Sequence, residues 1–274
     1  MMPPLLPADT RIGAVHLRVV DLVALTSFYT EDLGLQLLAE DAATVALAAH
    51  RLGPPLLVLH GAHEDVPSED GSPGLFHVAF RMPRRQALSG MLRRLHERGV
   101  PLDGFADHNV SEAIYLRDPE GNGLELYADR DPGIWRTVDE EIFITTEPLD
   151  VDGLLGASQA PADFPEDADV GHIHLQVSSL STAEAFYVHR LGLALVTRRI
   201  RDALFLAAGD YHHHVGVNTW RIRRNAHRSA HGPGLIAFEL VVPDLEVRRR
   251  LTGGAAEGLL LDPDGIGVRV VAER

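Results

Sequence analysis

His108-Asn-Val-Ser-Glu-Ala-Ile-Tyr115-Leu-Arg-Asp118-Pro119-Glu-Gly121-Asn-Gly-Leu-Glu125 places a histidine, a tyrosine and a carboxylate at fixed offsets around a tight turn. Residues 111–117 alternate and favour β structure, and Leu124-Glu125-Leu126-Tyr127 reads as a second strand. Asp118-Pro119-Glu120-Gly121 between them is hairpin chemistry: proline presets the first turn dihedral and glycine takes a positive φ. Glu125 lies between two leucines and so points to the opposite face of its strand. A carboxylate facing into a barrel or cup is costly unless it is paired or bound to metal. Glu125 is therefore a candidate ligand, and its histidines have to be found elsewhere in the chain.

An internal duplication shows where to look. Gly13-Ala-Val-His16-Leu-Arg-Val returns as Gly171-His-Ile-His174-Leu-Gln-Val. From each histidine, 12 residues lead to Phe-Tyr (Phe28-Tyr29, Phe186-Tyr187) and 18 to the glycine of Leu-Gly-Leu (Gly34, Gly192). Gly74-Leu-Phe-His77-Val-Ala-Phe matches Gly234-Leu-Ile-Ala237-Phe-Glu-Leu, and the turn segment ending at Glu125 matches Asp262-Pro-Asp-Gly-Ile-Gly-Val-Arg269. Each unit opens with an alternating strand followed by an amphipathic helix: 21–33 and 179–191 stop at Gly34 and Gly192. A further helix over 84–98 puts Leu88, Met91, Leu92 and Leu95 on one face. Short strands follow, such as 43–49, 55–60 and 203–208. The expected fold class is α+β, with four βαβββ modules in two halves, 11–130 and 169–274. Between them, 131–168 reads as a linker with one short helix near Leu154.

Composition sets the outer bounds. At 274 residues with 45% hydrophobic content, the chain has apolar mass for two cores. A net charge of −14 argues against nucleic acid or an anionic membrane as partner. With no cysteine, disulfides and thiolate ligands are excluded, and any metal must be held by His, Asp and Glu. The start lacks a charged region followed by a long apolar run, and no apolar stretch approaches the length of a membrane span, so a cytoplasmic protein is expected. Exposed module edges leave homo-oligomerisation open.

Paired βαβββ modules with a His on the first strand and a Glu on the last resemble the vicinal oxygen chelate superfamily of glyoxalases, bleomycin- and fosfomycin-resistance proteins and extradiol dioxygenases. The 108–125 run is similar to the extradiol ring-cleavage signature, departing from it at Ala106. Across nearly the whole chain the arrangement is most similar to two-domain catechol 2,3-dioxygenases. This resemblance implies that each half curls into a cup-shaped mixed sheet. His16 and His77 would begin equivalent strands of one cup and Glu125 would close it. Two histidines and one carboxylate form the facial set used for Fe(II) and oxygen, and Mn(II) accepts the same ligands. The implied substrates are a small aromatic diol and O2, with the ring opened beside, not between, the hydroxyl carbons. His108 and Tyr115 would then hydrogen-bond the substrate or oxygen and move protons. His60 and His63 stand roughly where such enzymes carry an acid/base histidine.

The second half departs from this pattern. His174 remains, but Ala237 and Arg269 replace the second histidine and the carboxylate, and an arginine cannot ligate a cation. It is expected to be a structural partner, the reverse of familiar two-domain dioxygenases, whose metal sits in the second half. His212-His213-His214, with His172, His174 and Glu239, is a candidate second metal site. Two alternatives stay open: a glyoxalase-like isomerase or lyase using another divalent metal, and a non-catalytic small-molecule-binding protein.

Overall fold

A computed structural model describes residues 5–62, 71–139, 141–223, 226 and 228–273. The first module comprises β1 (Arg11–Val19), α1 (Leu22–Ser27) running on into a π-helical turn (Phe28–Leu33), β2 (Gln36–Glu40), β3 (Thr44–Ala48) and β4 (Leu57–Gly61). The second comprises β5 (Gly74–Met82), α2 (Arg85–Glu97), β6 (Leu102–Asp107), β7 (Ser111–Arg117) and β8 (Gly123–Asp129). A short hairpin of β9 (Thr137–Val138) and β10 (Glu141–Ile142) follows, then α3 (Val151–Leu155), which is the helix expected near Leu154. The third module comprises β11 (Asp169–Gln176), α4 (Leu180–Tyr187), β12 (Ala194–Thr197), β13 (Ala203–Ala207) and β14 (Val215–Asn218). The fourth comprises β15 (Gly234–Val242), α5 (Leu245–Thr252), β16 (Leu259–Leu261) and β17 (Gly267–Ala272). It has one strand fewer than the others, because Ala237 and Arg269 are 32 residues apart where His77 and Glu125 are 48.

Local pattern accounts for these elements. In α2, Leu88, Met91, Leu92 and Leu95 are buried as their helical spacing requires. Gly90 in the middle of that helix has a packing reason: a Cβ there would meet the Ala162 side chain at 2.5 Å. The two Asp-Pro-x-Gly turns are built alike. Gly121 N–H donates to the Asp118 carbonyl and Gly265 N–H to that of Asp262, with φ of +84° and +79° at the glycines.

Two compact units are distinguished. In the unit of Val19–Gly61 and His77–Val170, the strands are ordered β4-β3-β2 and β5-β8-β7-β6. In the unit of Met1–Arg18, Ala62–Phe76 and Gly171–Arg274, they are ordered β16-β17-β15-β1 and β12-β13-β14-β11. By hydrogen-bonded order, β1 and β15 belong to a seven-stranded mixed sheet, and β5, β8, β11 and β14 to an eight-stranded one. In the antiparallel β1–β15 ladder His16 stands opposite Ala237. No helix among the described residues is long and apolar enough to cross a membrane.

Candidate metal centre

β7 and β8 form the antiparallel hairpin expected of the 108–125 run, in a register that sets Tyr115 directly opposite Glu125. β5 runs parallel to β8, with Ala79 opposite Glu125 and Val78 opposite Leu124. Alternation then puts His77, Ala79 and Glu125 on one face. There, His77 Nε2 lies 3.0 Å from Glu125 Oε2. The structure thus brings together two of the three ligands expected from the sequence.

It does not bring His16 to them. His16 lies in the seven-stranded sheet, where its Nε2 faces Glu239 Oε1 at 3.8 Å. The residue that joins His77 and Glu125 is His172: one ligand atom from each of the three lies within 4.8 Å of the others. All three side chains are buried, His77 at 6% exposure and Glu125 and His172 at 2% each. Among the described residues this is the one group of His, Cys, Asp and Glu close enough to hold a metal ion. Two imidazoles and a carboxylate converging in a buried place fit a divalent cation, which offsets the cost of burying the carboxylate.

The sequence puts His172 in the candidate second site and not with His77 and Glu125, because the repeat aligns it with Ala14. His172 and His174 alternate onto the same face of β11, so periodicity cannot choose between them.

His108 and Tyr115 stand beside this group. His108 Nδ1 is 2.5 Å from the Thr145 carbonyl, which can only accept, so Nδ1 carries a proton. His108 Nε2 then lies 2.6 Å from Tyr115 Oη. Burial, then the charge of the adjoining Glu125 and its hydrogen bond, push the Tyr115 phenol well above its ordinary range. It is therefore a neutral group at physiological pH.

The other expected residues are placed as follows. His60 is half-buried on β4 opposite Thr44, in the seven-stranded sheet. His63 lies outside the described residues. The proposed second set does not assemble, because Glu239 is on β15 of the seven-stranded sheet, whereas the histidines gather in the eight-stranded one. His213 packs its ring 4.1 Å from that of His172, and its Nδ1 is 2.7 Å from Nδ1 of the fully buried His212. His214 Nδ1 accepts the Ala208 N–H at 3.2 Å.

Comparison with known proteins identifies the family. Residues 11–126 match the model of the Glyoxalase/Bleomycin resistance protein/Dioxygenase superfamily. A catechol-2,3-dioxygenase of Bacillus subtilis (strain 168) is 37% identical over 242 residues, covering 87% of this chain and 85% of that protein. A biphenyl-2,3-diol 1,2-dioxygenase of Rhodococcus globerulus is 31% identical over 126 residues, 43% of this chain and 63% of that one. In fold, the chain is similar to a putative dioxygenase from Bacillus subtilis (TM-score 0.65, 15% identity, 98% of this chain and 86% of that one). It is also similar to glyoxalase I from Zea mays (TM-score 0.58, 16% identity, 96% and 92%). The chain belongs to the glyoxalase, bleomycin resistance protein and dioxygenase superfamily, the vicinal oxygen chelate proteins, on the branch of its extradiol dioxygenases.

Proposed function

We propose that the chain cleaves the ring of catechol or a substituted catechol with O2, beside the hydroxyl-bearing carbons, and that His77, His172 and Glu125 hold Fe(II) for this reaction. The observation that carries the reading is the buried convergence of those three side chains with the Tyr115–His108 pair at Glu125. The dioxygenase relatives are named for the same substrate class. When bound, the ion supplies Lewis acidity and a template that brings both reactants together.

The chain's own groups supply the proton handling. Tyr115 Oη lies between Glu125 and His108 Nε2 and is a neutral donor. As a catechol hydroxyl gives up its proton, His108 Nε2 is the acceptor within reach through Tyr115, and the Thr145 carbonyl at Nδ1 stabilises the imidazolium so formed. The returning proton takes the same route, so one pair serves as base and then as acid. His213, packed on His172, is a second imidazole at the site.

Oxygen uptake with catechol, on protein loaded anaerobically with Fe(II), tests the reading. Stoichiometric uptake with a yellow ring-opened product is expected, and none from Glu125→Ala. Activity that survives in that variant, or no uptake with any catechol, overturns it.

A further inference from the structure

Asn109, the neighbour of His108, has a φ of +66°, one of the few positive values outside glycine among the described residues. A left-handed backbone is costly for a residue with a Cβ, and asparagine is among those that tolerate it best. Such strain persists only where the surroundings fix it. Here they do. Asp107 Oδ1 accepts the Asn109 N–H at 2.8 Å, and the two oxygens of that carboxylate accept from both Nη atoms of Arg130, at 2.8 and 2.7 Å. Arg130 Nη2 reaches on to Glu112 Oε1 at 3.2 Å, and Arg85 Nε donates to Glu112 Oε2 at 2.6 Å. The corner that carries His108 is thus anchored by charge-assisted bonds, one of them bidentate.

The other side of the corner is held by residues 143–147, within the stretch 131–168 that reads as a linker in the sequence. This segment returns along the corner as a strap. Asp107 and Glu147 exchange both backbone hydrogen bonds at 2.9 Å, and the Thr145 N–H donates to the His108 carbonyl at 3.3 Å. The Asn109 side-chain amide adds a further tie, donating to the Phe143 carbonyl at 3.0 Å. Phe143 is fixed in its turn: its N–H donates to the Arg136 carbonyl at 2.8 Å, and the Arg136 guanidinium lies over its ring at 5.0 Å. Two residues further along the strap, the Thr145 carbonyl takes the hydrogen on His108 Nδ1. A carbonyl can only accept, so its position selects the ring form with hydrogen on Nδ1 and turns Nε2 towards Tyr115.

We propose that Asn109 is a positioning residue for His108: its left-handed backbone forms the corner, and its amide holds the strap so that the Thr145 carbonyl keeps the imidazole in the Nδ1–H form. This rests on the ring-cleavage reading above, in which His108 Nε2 takes the proton that passes through Tyr115.

The ring itself gives the test. Heteronuclear NMR of the full chain, with labelled histidine and diamagnetic Zn(II), should show the His108 ring in the Nδ1–H form alone; its signal is the one lost in His108→Gln. Asn109→Gly takes the left-handed backbone more easily and should fold, but lacks the amide. Asn109→Asp keeps the shape and cannot donate. Both variants should show the Nε2–H form beside the Nδ1–H form. On the Fe(II)-loaded enzyme, kcat for catechol should fall about tenfold or more while KM stays within about twofold, because the amide acts through His108. A wild-type ring that already samples both forms, a ring form unchanged in both variants, or an unchanged kcat overturns the proposal while leaving ring cleavage intact. If no catechol is cleaved, the function reading fails, and the ring spectra alone decide whether Asn109 positions His108.

Discussion

Tyr29 Oη donates to Asp118 Oδ2 at 2.9 Å, and 158 residues later Tyr187 Oη donates to Asp262 Oδ2 at the same distance. Each aspartate also takes two backbone N–H groups of its own turn, from Glu120 and Asn122 or from Asp264 and Ile266. The next acidic residue continues the grip. Glu120 accepts the N–H groups of Val20 and Asp21 before α1, and Asp264 that of Ser178 before α4. The Phe-Tyr and Asp-Pro-x-Gly parts of the repeat are thus two halves of a structural clamp, distinct from the His108, Tyr115 and Glu125 positions that carry chemistry.

Removing either hydroxyl should be costly. Tyr29→Phe leaves a buried carboxylate short of a donor, and about 1–3 kcal/mol of stability should be lost. Tyr187→Phe should behave alike. Urea midpoints at constant slope measure both, and a change within error in both variants would mean that the clamp contributes nothing.

The clamp also sets an alkaline limit. Burial, and then the adjacent Asp118 or Asp262, hold Tyr29 and Tyr187 well above the usual value of 10.0. Above that value the unfolded chain releases protons that the folded chain keeps, so stability falls as pH rises. Phenolate absorbance at 295 nm should therefore appear for these residues together with the loss of far-ultraviolet circular dichroism. Full titration of all five tyrosines in a folded chain would refute this.

His172 and His16 are separable by metal content. His172→Ala should lose the bound ion, as should His77→Ala and Glu125→Ala, whereas His16→Ala should retain it. Elemental analysis after dialysis decides, and the opposite pattern for the two histidines would return the site to the ligand set expected from the sequence.

Glu239 makes an acid-side prediction. Burial alone would raise its pKa, but the adjoining His16 imidazole, the hydrogen bond from the Ala14 N–H and the charge of Arg269 hold it below the usual 4.5. Its contribution is present above that value and is lost as pH falls through the folded-state pKa. The stability difference between wild type and Glu239→Gln should therefore be widest near neutrality and narrow below about pH 4.5. A gap independent of pH would contradict it.

What could be read in the sequence was local. β7 spans 111–117 as its alternation predicts, and α2 and α3 lie where the apolar spacing puts them. His77 and Glu125 were found because both lie within one module, where register follows from pattern and turn. His172 was read into a second site instead, because the repeat gives β1 and β11 nearly the same residues and so cannot choose between their histidines. That choice is made by long-range matching of edges, which leaves no periodic trace.

The pairing of β1 with β15 has a consequence for biosynthesis. Arg11 pairs with Val241, so this strand waits about 230 residues of synthesis for its partner. Until then its apolar edge is open to other chains, and loop closure over such a span is slow. Truncation before β15 (Gly234–Val242) should therefore do more than remove a tail. It would leave the N-terminal strand without a hydrogen-bonded neighbour on that side and give a nascent chain that depends on chaperones, even though the residues around Glu125 were complete long before.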